Sequence, residues 1–235
     1  MTTFDALSAE KLRADLDSAI IGRDIVVVDE TTSTNDSVLE RALPSTAEGL
    51  VVFAERQAAG RGQRHNSWES AAGKGLWFSI LLRPKIDIGA SAQLAEWAAS
   101  TVVDTISAEF AREATVKLPN DVVMAGKKIA GVLVEMRAQK NAPHIAIVGI
   151  GLNVNQRAED FSDELRPRAI SLAMALRRQV DRQQLAVALL RNLDVTYRAI
   201  FCGGSSSPLL DAKDNAPSGQ INIARGAVDP PYFAR

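Results

Sequence analysis

The feature that most constrains this chain is a long polar stretch, Ala54-Glu-Arg-Gln-Ala-Ala-Gly-Arg-Gly-Gln-Arg-His-Asn-Ser-Trp68, set between two apolar runs. Leu50-Val-Val-Phe53 precedes it and Leu76-Trp-Phe-Ser-Ile-Leu-Leu82 follows. Two strands are therefore predicted to bracket a loop that opens at Glu55. Structureless loops beyond ~12–15 residues are uncommon in compact domains and usually carry function. Gly60 and Gly62 permit backbone geometry closed to other residues and let a ligand approach the main chain. Arg56, Arg61 and Arg64 supply planar donor forks suited to carboxylate and phosphate. The reading is an anion-gripping loop, set against the plainer alternative of a solvated surface loop.

Composition narrows the classes. At 235 residues the chain can bury one large core, with or without an appendage. Lys+Arg 27 against Asp+Glu 28 leaves a formal charge of -1, so no global basic field recruits nucleic acid or a membrane surface. Cys202 is the single cysteine, which excludes an internal disulfide, and His65 and His144 are too far apart in sequence to suggest a metal cluster. The longest apolar runs have strand length and the N-terminal segment carries Asp5 and Glu10. A cytoplasmic protein without a membrane span is the expectation.

Along the chain, Leu7, Leu12, Leu16 and Ile20 predict an amphipathic helix over 5–19, and Ile25-Val-Val-Val28 a buried strand. Asp29-Glu-Thr-Thr-Ser-Thr-Asn-Asp36 is rich in short side chains that cap a following helix, with enough surplus to line a polar pocket. Residues 90–110 predict a helix for one face of a sheet. Thr115-Val-Lys-Leu118 and Val122-Val-Met124 read as strands, and Ala125-Gly126 turns into a strand over 128–136. The strand over 144–154 contains Gly149 and Gly151, a sign of close approach by a ligand or another backbone, and is expected to form a pocket wall with room for a flat ligand. A helix is predicted over 171–201, and the Pro- and Ser-containing segment from Cys202 onward reads as loop, with only Gln220-Ile-Asn-Ile223 hinting at a strand. The fold class is α+β, a central mixed, largely antiparallel sheet backed by helices.

Several familiar motifs fail. Ala72-Gly-Lys-Gly75 lacks both the earlier glycine and the Ser/Thr of a phosphate loop. Gly60-Arg-Gly62 is followed by His65 rather than a third glycine, so it is no dinucleotide fingerprint. No serine occupies a nucleophile elbow. What remains is a site that binds anions and organises reactants.

Taken together, four segments resemble the catalytic domain of biotin protein ligases. They are Thr32-Ser-Thr-Asn-Asp36; Glu55-Arg-Gln-Ala-Ala-Gly-Arg-Gly62 with Trp68; Lys117-Leu-Pro-Asn-Asp121 with Lys127-Lys-Ile-Ala-Gly-Val-Leu-Val-Glu135; and Gly149-Ile-Gly-Leu-Asn153. Each is weak alone; their order over roughly residues 25–200 is what is specific. The resemblance implies the fold shared with class II aminoacyl-tRNA synthetases. It also implies an enzyme that joins biotin and ATP into biotinyl-5′-adenylate, then passes the acyl group to a lysine of a carboxylase's biotin carboxyl carrier domain. By resemblance, Ser33, Thr34, Asn35 and Gln57 hold the ureido end of biotin, and Arg61, Gly62, Gln63, Lys128 and Gly131 complete its site. Arg61 and Lys128 carry the catalytic charge. Trp68, Asn120 and Asn153 form the ATP side, and Mg²⁺ accompanies ATP without a dedicated protein cage.

The chain departs from the family pattern at Gln63, where a second arginine is usual, at His65 in place of glycine, and at Leu118 in place of tryptophan. Without that arginine a charge-assisted contact is lost, which predicts looser retention of the adenylate. Residues 1–201 are expected to form the catalytic domain, and 202–235 an atypical tail, a remnant of the family's small C-terminal domain. A DNA-binding N-terminal domain, and with it nucleic-acid binding, is not expected; a homodimer is left open. Two alternatives stand beside the ligase: a biotin-binding sensor without transfer activity, and a lipoate or octanoate ligase or transferase of the same fold.

Overall fold

A computed structural model describes residues 6–139 and 142–203. Of the tail expected over 202–235, Cys202 instead ends a helical turn (Arg198–Cys202), and everything after Gly203, the strand at 220–223 included, lies outside the described residues. Seven strands form one sheet: β1 (Asp24–Thr31), β2 (Leu50–Gln57), β3 (Gly75–Leu82), β4 (Thr115–Lys117), β5 (Asp121–Met124), β6 (Lys127–Gln139) and β7 (Ala142–Asn153). The order is β1-β2-β3-β7-β6-β5-β4. Only β1 and β2 run parallel; every other neighbour pair is antiparallel, as the mixed-sheet expectation requires. The crossover between β1 and β2 is α2 (Thr34–Arg41).

Period-two alternation sorts the strands between the two faces. Phe53, Phe78, Ile80, Val132, Val148 and Ile150 point into the main core, packed against α3 (Ser91–Phe110) and α5 (Arg182–Tyr197). The opposite face carries a smaller cluster, Val52, Leu81, Ile145 and Ile147, capped by Val38 of α2. Helices seal the first face. On the second, a single short helix leaves part of the sheet to be covered by the loop after β2.

Four sequence expectations are corrected. The N-terminal helix is only α1 (Ala9–Asp15), because the carboxylate of Asp194 draws the following chain onto α5 by accepting the backbone N–H groups of Ala19, Ile20 and Ile21. Strand β2 runs on through Glu55, Arg56 and Gln57, since its parallel pairing with β1 continues to Thr31. The predicted helix over 171–201 is broken: α4 (Leu172–Leu176) ends at Arg177 in the left-handed region, and α5 starts only after Asp181. Asp181 caps α5 through Gln184 N (3.0 Å), and the buried carboxamide of Asn155 pairs with both backbone groups of Val180, fixing the break. Finally, the hydroxyl-rich run before α2 does not cap it as expected. Ser33 makes no side-chain cap bond; Gln57 Oε1, reaching over from β2, accepts from Thr34 N at 2.9 Å.

One buried ion pair ties the layers together. Arg182 donates to Glu55 Oε2 (2.7 Å) and to Gly75 O (3.1 Å), while Glu55 Oε1 accepts from Leu7 N (2.8 Å). Breaking a buried pair leaves a charge that the core cannot solvate. Arg182→Ala should therefore lower the unfolding free energy by about 3–5 kcal/mol, as read from urea denaturation.

Candidate functional site

The uncovered part of the second face is built from absent side chains. A Cβ on Gly149 would stand 2.2 Å from Asn35 Oδ1, one on Gly151 2.5 Å from the Trp68 ring, and one on Gly131 2.9 Å from the same ring. These three glycines, on the adjacent strands β6 and β7, form a floor of bare backbone. Asn35 from α2 and Trp68 from the loop lie directly on it. The close approach at 149 and 151 is made by side chains, Asn35 and Trp68, and not by another backbone.

At one end of the floor the N-terminus of α2 is bound into a polar network. Ser33, Thr34 and Asn35 are buried. Thr34 N and Oγ1 both donate to Gln57 Oε1 (2.9 and 3.2 Å), and Gln57 Nε2 donates to Ser70 Oγ (3.1 Å). Beneath them, Ser79 on β3 is fully buried, its Oγ 2.7 Å from Thr34 Oγ1 and 2.6 Å from Asn35 Oδ1. Asn35 Nδ2 donates to Glu135 Oε2 at 2.7 Å.

Each of the two expected catalytic cations is held by carboxylate. Arg61 donates from Nη1 to Asp36 Oδ2 (2.6 Å) and from Nη2 to Glu135 Oε2 (3.1 Å). The hydrogen bond to Asp36 raises the guanidinium pKa above its ordinary value; desolvation opposes the shift and the charge of Glu135 adds to it. Lys128 Nζ lies 2.7 Å from Asp121 Oδ1 and 5.2 Å from the centroid of Trp68.

Lys128 reaches this place through a bulge. Residues 128 and 131 are three apart, so on an unbroken strand they would face opposite sides of the sheet. Val122 pairs with Ala130 but Val123 pairs with Lys128, leaving Ile129 as an extra residue. Ile129 drops into the core, and Lys128 swings to the floor side, where a Cβ on Gly131 would stand 3.3 Å from Nζ. The backbone there is pinned as well: Lys128 N donates to Arg168 O and Lys128 O accepts from Ile170 N.

The loop expected to be structureless is folded back on itself. Trp68 N donates to Gly60 O (2.8 Å), Gly62 N donates to Asn66 O (2.7 Å), and Arg61 and Ser67 form a bridge. Two hollows result. The first, about 40 Å³, is lined by Ser33, Thr34, Asn35, Gln57, Arg61, Gly62, Gln63, Trp68, Asn120, Lys128 and Gly131 among others. The second, about 430 Å³, is lined by Trp68, Lys117, Asp121, Lys128, Asn153 and Arg168 among others. Trp68 and Lys128 line both, so they form the partition between them. The first hollow has room for a water or two, and a larger ligand enters it only if Trp68 and the loop move.

All twelve expected site residues line one hollow or the other, but not all with free polar groups. Asn120 lines the first hollow and donates from Nδ2 to Val132 O (2.8 Å). Asn153 lines the second; it donates to Ile170 O (3.1 Å) and its Oδ1 accepts from Gln156 Nε2 (3.0 Å). Sequence reasoning gave no role to Ser79, Asp36, Glu135 or Asp121. Ser79 had a signal, a lone hydroxyl in the apolar run 76–82. The three acids lay inside the quoted motifs, but the partners that place them at the site come from other segments: Arg61 of the loop for Asp36, Arg61 and Asn35 of α2 for Glu135, and Lys128 of β6 for Asp121. Among the described residues no group of three or more His, Cys, Asp or Glu could hold a metal ion, and no helix is long and apolar enough to cross a membrane.

The arrangement is a mixed sheet carrying two adjoining hollows with the ammonium of Lys128 between them. The chain belongs to the biotin/lipoate A/B protein ligase family, whose model matches residues 27–153. It is similar to the bifunctional ligase/repressor BirA of Bacillus spizizenii, 37% identical over 198 residues, which cover 84% of this chain and 61% of that protein. It is also similar to the biotin--[acetyl-CoA-carboxylase] ligase of Mycobacterium tuberculosis, 34% identical over 80% of this chain and 70% of that one. Among solved structures, the biotin protein ligase of Aquifex aeolicus in complex with biotin and ATP superposes with a TM-score of 0.66 at 29% identity, covering 76% of this chain and 72% of that one. The chain thus spans about three-fifths of the length of the BirA relative.

The packing of Trp68 on bare backbone can be checked directly. Gly151→Ala places a methyl group inside the indole, so the ring must leave the floor. The Trp68 emission, isolated by difference from Trp68→Phe, should shift to the red. The accompanying loss of stability should be about 1–3 kcal/mol, the usual cost of overpacking.

Proposed function

We propose that this protein is a biotin–[biotin carboxyl carrier protein] ligase acting through biotinyl-5′-adenylate. The observation that carries the reading is the partition: Lys128 stands between a hollow with a buried polar end and a larger one beside it. A bicyclic ligand with a cyclic urea at one end and a carboxylate at the other suits the first hollow once it opens. Its urea needs donors and acceptors where Ser33, Thr34, Asn35 and Gln57 offer them, because a buried polar group left unmatched costs free energy. A lipoyl or octanoyl chain has nothing there to match, which favours biotin. ATP takes the second hollow, with Trp68 and Asn153 on the adenine side, whereas Asn120, expected there too, lines the first hollow. Mg²⁺ would accompany the nucleotide, and among the described residues no group of three or more His, Cys, Asp or Glu is placed to hold it.

In the first step a carboxylate oxygen of biotin attacks the α-phosphorus of ATP, forming the mixed anhydride as pyrophosphate leaves. Two anions meet, so the cations at the meeting point matter most. Lys128 faces both partners, and Arg61, released from its carboxylates, neutralises charge from the loop side. The residues otherwise position the reactants and exclude water. In the second step the amine of the carrier lysine attacks the acyl carbon, an amide forms and AMP leaves. The partners are biotin and the carrier domain, with no nucleic acid or membrane; a homodimer is compatible with this reading, and the cytoplasm is where such a carrier is met.

Incubation with ATP, labelled biotin and a carrier domain tests the proposal, and label on the carrier lysine is the expected result. Biotin bound without transfer would mean a sensor. Label from lipoate or octanoate instead would mean a sister activity of the family. Lys128→Ala should slow pyrophosphate release on the order of 10²–10³-fold, as for loss of one preorganised charge donor, with the melting curve unchanged. Gln63→Arg should slow the escape of biotinyl-adenylate, measured by trapping the released intermediate, because it restores a charged donor beside the first hollow.

A further inference from the structure

Glu135 belongs to neither expected ligand shell, yet two of the expected biotin residues converge on one of its oxygens. Asn35 Nδ2 and Arg61 Nη2 both donate to Oε2, at 2.7 and 3.1 Å, and Arg137 Nη2 lies 3.2 Å from Oε1. The residue sits on β6 two places beyond Leu133 and four beyond Gly131, so it shares the floor side with them. Asn35 is nearly inaccessible, and a carboxamide can be turned either way round. A carboxylate accepts only, so it forces Nδ2 toward itself and Oδ1 toward Ser79 and Gly149. The same oxygen holds the loop, because Arg61 lies between Gly60 and Gly62 in the segment that closes over the hollow.

We propose that Glu135 is a positioning residue that sets the orientation of Asn35 and tethers the 58–68 loop through Arg61, so that the polar end of the first hollow and its cover are built as one unit. The inference rests on the reading of that hollow as the biotin site, and it goes beyond that reading by assigning work to a residue that does not touch the ligand. Asp36, next to Asn35 on α2, holds the other terminal nitrogen of Arg61 and so also ties the loop to the helix, but among the described bonds it is Glu135 that accepts from the Asn35 side chain and from Arg61 at once. Replacing the carboxylate by a carboxamide of the same shape removes one of the two charges that hold Arg61, leaving Asp36 as the other. It also turns an NH₂ group toward a donor in either orientation, Asn35 and Arg61 on one side or Arg137 on the other.

The test is Glu135→Gln in the full chain, with Glu135→Asp as a second variant should the first fail to fold. In ligand-free protein, trypsin cleavage after Arg61 and Arg64 should accelerate severalfold as the loop loosens. Biotin binding by calorimetry should weaken roughly tenfold or more, the loss expected for a hydrogen bond to a charged group, while ATP binding and the melting temperature stay as in the wild type. Glu135→Asp keeps the charge and should recover part of both losses. Wild-type cleavage rate and biotin affinity in Glu135→Gln would overturn the inference, as would a joint fall of biotin affinity, ATP affinity and melting temperature. If the wild type itself binds no biotin, the functional reading fails instead, and the cleavage rates alone decide whether Glu135 holds the loop.

Discussion

Everything at this site depends on one constraint: a patch of sheet from which the side chains have been removed. Both faces of a seven-stranded sheet must be covered, and here α3 and α5 seal only one. On the other, Gly131, Gly149 and Gly151 leave backbone exposed to whatever packs above. Asn35 and Trp68 take that space, so a helix terminus and a loop are seated at van der Waals contact with the strands. A larger residue at any of the three positions would lift one of them away. The glycines weaken the strands locally, and neighbouring strands on both sides of β6 and β7 compensate.

Charge is arranged on the same scale. Arg61 is shared between Asp36 and Glu135, and Lys128 leans on Asp121. These pairs are a fifth to two-fifths exposed, so each contributes only about 0–1 kcal/mol. They are strong enough to pre-orient the cations and weak enough to yield to a carboxylate or phosphate that brings full charge. The buried pair Arg182–Glu55 is the opposite case, placed where no ligand reaches and breaking it costs stability. The distinction between the two kinds of ion pair is a matter of depth, not of residue type.

Much of this was legible in the chain. Alternating and continuous apolar runs located the strands, and the ordered segments around Ser33, Gln57, Asn120 and Gly149 identified residues that do meet across the two hollows. Other features were hidden for specific reasons. The end of β2 was misplaced because Glu55, Arg56 and Gln57 are polar, although parallel pairing with β1 carries the strand through them. The helix over 171–201 was drawn unbroken because leucines recur at helical spacing across Asp181, the capping residue that begins a second helix. Capping of α2 was assigned to its neighbours in sequence, whereas Gln57 performs it from twenty-three residues away.

The sequence by itself determined the α+β class, the predominance of antiparallel pairing, the family and the set of residues that gather at the site. Those follow from local periodicity, turn chemistry and motif order, which are written along the chain. Only the tertiary structure decided that Lys128 faces the hollow, since an extra residue at Ile129 reverses the parity of the strand. It alone decided that Ser79 and Glu135 lie under and beside Asn35, because hydrogen bonds between β3, β6 and α2 join positions forty-four and a hundred residues apart. Strand register and depth are properties of the assembled sheet, and no single segment contains them.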